Sequence, residues 1–153
     1  MMPLDEVVFD IRARNGEWCM APYPGHPRGC PNYPACVKEH PNFKTLPPRK
    51  WFALVEDFDL KAHAEKMKAA HPDWTERQAR CVLYWQNGVR KRLSEKALKE
   101  YRPLEGDILL TIPEACGVNV FATMAQHGLI LKKNPDVVHK IMLIGKIGGN
   151  KDG

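Results

Sequence analysis

Eight of the thirteen prolines fall between residues 18 and 50: Pro22, Pro24, Pro27, Pro31, Pro34, Pro41, Pro47 and Pro48. Each proline locks φ and removes a backbone donor, so neither a helix nor a central strand can run through this stretch. A loop of this length inside a compact domain is either functional or disordered. This one carries Trp18, Tyr23 and Tyr33 together with Cys19, Cys30 and Cys36. Aromatic and thiol side chains at that density predict an ordered loop wrapped around something. Thiolates on stiff, helix-free backbone can converge on a soft metal from several directions without rearranging.

The rest of the chain reads as one α+β domain spanning residues 1–153, with a frayed tail over 148–153. A length of 153 residues suffices for a sizeable core. Residues 1–17 alternate loosely at Val7, Phe9 and Ile11, which predicts a short strand or an extended lead-in. A buried strand is expected over 50–58, then a helix from Leu60 to Ala70 that stops at His71-Pro72. Asp73 is the expected N-cap of a long helix from Trp74 to Glu100, with Val82, Trp85, Val89, Leu93 and Ala97 as its apolar stripe and Pro103 as its stop. A second strand is expected over 107–111, a helix over 118–127 ending at Gly128, and a last strand over 137–147. Strands and helices mix without βαβ spacing, so the expected architecture is a small mixed or antiparallel sheet with helices packed on one face.

Charge and cysteine count narrow the function classes. The net charge of +5 is concentrated between Arg77 and Arg102, where eight basic residues face two acidic ones. Such a run attracts polyanions or forms a solvated helix face, and no aromatic-interleaved nucleic-acid motif accompanies it. No apolar run is long enough for a membrane span. The acidic start, Met1-Met2-Pro3-Leu4-Asp5-Glu6, is unlike a secretory signal, so a cytoplasmic protein is expected. Five cysteines are an odd number, and intracellular thiols stay reduced, which leaves metal ligands or buried thiols rather than disulfides.

The spacing Cys19-x10-Cys30-x5-Cys36 lacks the tight knuckle of structural zinc sites and the Cys-x2-Cys-x2-Cys run of bacterial ferredoxins. Wide spacing suits a cluster held by one long loop plus a distant ligand. Cys116, in Pro113-Glu114-Ala115-Cys116-Gly117, is the candidate for that ligand. Its expected position before a helix N-terminus favours thiolate, with Glu114 opposing. Cys81, inside the expected long helix, reads as a core thiol. His26 is an alternative fourth donor in a Cys3His zinc site.

Gly29-Cys30-Pro31-Asn32-Tyr33, followed by Cys36, resembles the opening motif of a family of small predicted metal-binding proteins catalogued as domain of unknown function 2284. The stretch from Pro113 to Thr123, with Gly128 beyond it, is similar to that family's closing segment. The resemblance implies an iron–sulfur cluster with Cys19, Cys30 and Cys36 among its ligands. Members of that family often carry further mid-chain cysteines where this chain has only Cys81, so a single cluster is expected.

The expectation is therefore one 4Fe–4S cluster held by Cys19, Cys30, Cys36 and Cys116. If Cys116 is a ligand, every iron is capped and the role is redox, served by a redox partner. If Cys116 is not, one iron is open to a small-molecule substrate. The competing reading is a zinc-stapled module that touches nucleic acid with the basic helix 74–100.

Overall fold

Two ten-residue strands form the centre of the fold because each carries an unbroken apolar run, residues 51–55 and 141–144, that is covered on both faces of the sheet. The computed structural model describes residues 1–15, 38–132 and 135–147. Among the described residues the strands are β1 (Met2–Leu4), β2 (Lys50–Asp59), β3 (Ile108–Leu110) and β4 (Val137–Lys146). They form one antiparallel sheet in the order β1-β2-β4-β3. The helices are α1 (Ile11–Arg14), α2 (Leu60–Ala70), α3 (Glu76–Ala79), α4 (Gln86–Lys96) and α5 (Val120–Ala125). The α+β class and the antiparallel sheet are as expected. Most of the proline-rich stretch, the tail 148–153, and Cys19, His26, Cys30 and Cys36 lie outside the described residues.

Ala53 pairs with Leu143 and Leu54 with Met142, so the two strands put like parities on the same face. One face collects Leu4, Trp51, Ala53, Leu110, Ile141 and Leu143. The other collects Leu54, Met142 and Ile144 against Leu93 and Ala97. The two eleven-residue helices lie on this second face: α4 through Leu93, and α2 through His63, whose ring meets Phe58 at 5.5 Å. The first face is covered by the N-terminal segment and by the short unit from Pro113 to Ala125. Gly145 lies opposite Trp51, and a β-carbon there would come within 2.9 Å of the indole, so glycine is what admits the ring.

Helix α2 spans the expected Leu60–Ala70, capped by Asp59, whose side chain accepts from Ala62 N. The single helix expected over 74–100 is instead three pieces. Its first turn, α3, is capped by Thr75 rather than Asp73, in a reciprocal box with Gln78. The chain then turns extended at Cys81 (φ −59°, ψ 129°) and passes through a 3₁₀ turn at Val82–Tyr84 before α4 begins. Tertiary packing accounts for the break. Trp85 stacks on Phe58 at 5.1 Å, and its indole N–H donates to the carbonyl of Arg80. A continuous helix would consume that carbonyl in its own ladder. The apolar stripe survives only beyond the break, where Val89, Leu93 and Ala97 are buried. The chain leaves through a wide turn at Ala97–Tyr101, with Arg102 left-handed before Pro103.

Arg80 ties the break to the sheet. It donates to Glu76, to Asp136 and to the carbonyl of Pro135. Hydrogen bonds from Arg80 and Lys68 hold the Glu76 carboxyl down at about 2. The sign follows: Glu76 stabilises the fold above its ordinary range near 4.5, and that contribution is lost as pH falls toward about 2. Acid unfolding followed by circular dichroism should therefore show wild type more stable than Glu76→Gln at neutral pH, with the two converging at the acid end. Parallel curves across the whole range would contradict this.

Among the described residues of the N-terminal segment β1 is the only strand, and the Val7, Phe9, Ile11 alternation does not extend it. Phe9 makes one isolated bridge to Val118, after which Asp10 caps α1 and leaves Ile11 exposed. Among the described residues no helix is long and apolar enough to cross a membrane.

Candidate metal centre

Cys116 is the one proposed ligand within the described residues. It ends the 3₁₀ turn Pro113–Cys116 and is fully buried in the cluster on the first sheet face, with Val118, Val120 and Met124. Helix α5 begins later than expected, at Val120, and its N-terminus is satisfied by the Asn119 side chain, which accepts from Ala122 N. Gly117, Val118 and the capped Asn119 thus separate the thiol from the helix end. The expected dipole effect on Cys116 does not hold, because such effects act within the first turn.

The turn is held by the N-terminal segment rather than by α5. Asp10 N donates to the carbonyl of Gly117 at 2.7 Å, Asn119 N donates to that of Val8 at 2.8 Å, and Val8 N donates to Thr123 Oγ1 at 3.0 Å. Gly117 is left-handed (φ 98°), and a β-carbon on it would meet the Phe9 ring at 2.4 Å and Arg14 Cβ at 3.0 Å. Glycine is required there on both counts. The Arg12 side chain, hydrogen-bonded to Asp10, keeps the Asp10 carboxyl below the usual carboxylate range while Asp10 also caps α1.

Arg14 joins three distant pieces of chain. Its Nη1 donates to the carbonyl of His40 at 2.7 Å and to that of Ala115 at 2.9 Å. Ala115 immediately precedes Cys116. The chain thus leaves the N-terminal segment at Arg14, returns at His40, and has both points fastened to the turn that carries the thiol. Nothing in the sequence marked Arg14 for this, since its acceptors are main-chain carbonyls 26 and 101 residues away.

Cys81 is also buried, in the connection between α3 and α4, and is not part of the cluster that encloses Cys116. Among the described residues no three or more His, Cys, Asp or Glu side chains converge as a metal site. A four-ligand set that includes Cys116 would draw at least part of its donors from outside the described residues. The basic run is partly neutralised within the fold: Arg92 and Lys96 face Glu56 at 3.6 and 3.8 Å, and Arg80 is taken by Glu76 and Asp136.

No family model, curated protein or solved structure matches this chain, so the family resemblance rests on its two short motifs.

Proposed function

We propose that this protein binds one iron–sulfur cluster of the 4Fe–4S type through Cys19, Cys30, Cys36 and Cys116, and that its role is redox. The observation that carries this reading is the Arg14 bridge, which fastens both ends of the cysteine loop to the residue before Cys116. A chain extends at most about 3.6 Å per residue, so Cys19 is tethered within about 18 Å of Arg14 and Cys36 within about 14 Å of His40. Cys30, ten residues from His40, is bounded least tightly of the three.

A cluster with four cysteine ligands supplies one-electron transfer. The protein's own part is to exclude water and to balance charge. Cys116 is fully buried, which suits a ligand better than a thiol that substrate must reach, since reactive cysteines sit in partly exposed, electropositive settings. The Arg14 guanidinium brings a positive charge beside the turn of a net-anionic cluster. The capped form is therefore favoured over the open-iron enzyme. The zinc-stapled nucleic-acid module is weakened by the breaking of helix 74–100 and by the internal pairing of its basic residues.

Anaerobic purification from iron-replete cells tests the proposal. The expected product is brown, absorbs broadly near ~400 nm, and contains iron and acid-labile sulfide. Colourless, iron-free protein would overturn it, and one zinc per chain in that sample would favour the competing module.

A further inference from the structure

We propose that the cavity along the open edge of β4 binds a small organic carboxylate with an apolar body, and that Lys140 is its counter-charge. This site adjoins the Cys116 turn through Glu114 and Val120, but it stands whether or not the chain holds a cluster. The cavity measures about 900 Å³, within the size range of small-molecule sites. Its position follows from the sheet. Strand β3 pairs only with Leu143–Gly145 of β4, so on the side away from β2 the stretch 137–142 has no strand neighbour among the described residues. Leu60, Trp85, Val120 and Phe121 are among the apolar residues that line it.

Three cationic side chains line the cavity, and they differ in what already satisfies them. Arg80 is already engaged by Glu76, Asp136 and the Pro135 carbonyl. Lys132 is exposed to solvent. Lys140 is only 8% exposed and makes no hydrogen bond or ion pair among the described residues. Its cross-strand neighbour Glu56 faces Arg92 and Lys96 instead. Lys140 thus brings a positive charge to the cavity with no counter-charge among the described residues, and an anion entering the cavity supplies one.

The two carboxylates of the lining do not supply the missing charge. Asp136 is held by Arg80, and Glu114 Oε1 is sealed from solvent and makes no hydrogen bond. An anion with an apolar tail meets both needs of the site: the charge for Lys140 and contact for Trp85, Val120 and Phe121. The alternative, in which the Lys140 stem packs while its ammonium reaches water in an otherwise empty groove, predicts no anion preference.

The test is an NMR titration of the full chain with hexanoate, with acetate and hexylamine as controls. Hexanoate is expected to shift the Trp85 indole N–H and the amides of 138–141 to saturation, with acetate and hexylamine at least about tenfold weaker. Lys140→Met is expected to weaken hexanoate by about tenfold or more, and Lys132→Met by much less. Hexylamine binding as well as hexanoate would overturn the proposal, as would an unchanged hexanoate affinity in Lys140→Met. So would the absence of any saturating shift. The comparison of hexanoate with hexylamine uses wild-type protein and decides the matter even if the variant folds poorly.

Discussion

Replacing Cys116 with serine should remove most of the iron and sulfide from the anaerobically purified protein, while Cys81→Ser should retain them. The contrast is informative because both thiols are buried. A core thiol replaced by serine loses packing and buries a hydroxyl, which costs about 1–3 kcal/mol wherever it lies. Only a ligand also takes the cluster with it. Cys116→Ala separates the two effects, since it buries no polar atom and still cannot ligate iron. Full iron retention in both Cys116 variants would exclude Cys116 from the ligand set. Retention in Cys116→Ser together with an altered redox or catalytic property would point instead to the open-iron form. Loss of iron in Cys81→Ser alone would move the fourth ligand to the connection between α3 and α4.

The largest expected effect on stability belongs to Gly117→Ala. The left-handed backbone costs an alanine about 1–2 kcal/mol. The new methyl also lies where the Phe9 ring and Arg14 Cβ now sit, and displacing them adds about 1–3 kcal/mol. A total of about 3 kcal/mol corresponds to a fall in Tm of about 6–12 °C for a domain of this size. Gly128 provides the internal control. It has φ 90°, but a β-carbon there meets nothing within 4 Å. Gly128→Ala should therefore show the backbone cost alone, roughly half the effect or less. Equal Tm losses in the two variants would show that the contact with Phe9 and Arg14 contributes nothing. Because Arg14 also anchors the loop, Gly117→Ala should lower iron content as well, and Gly128→Ala should not.

The parts of the fold legible in the sequence were those that follow from local periodicity. Strand β2, helix α2 and strand β4 fall where the apolar pattern and the stop at Pro72 place them. The stripe Val89, Leu93, Ala97 is buried as its spacing requires. The same reasoning failed over 74–85, because it treats a helix as free to continue wherever no proline stops it. What stopped this one was the docking of Trp85 on Phe58 and of Arg80 on Asp136, contacts spanning 27 and 56 residues that leave no periodic trace. The start of the helix after Cys116 was legible in principle: Asn119, between two valines, is a favoured N-cap residue, and it sets the start at Val120.

For the candidate site the division is sharper. By itself, the sequence determined that residues 18–50 can be neither helix nor central strand, since proline removes donors and fixes φ wherever it stands. It also determined which thiols that stretch carries. Only the tertiary structure decided where the stretch is anchored. Gly117 lets Phe9 and Arg14 close on the Cys116 turn, and one guanidinium then joins carbonyls at residues 40 and 115. Main-chain acceptors are the same in every residue, so such a junction becomes visible only once the chain has folded.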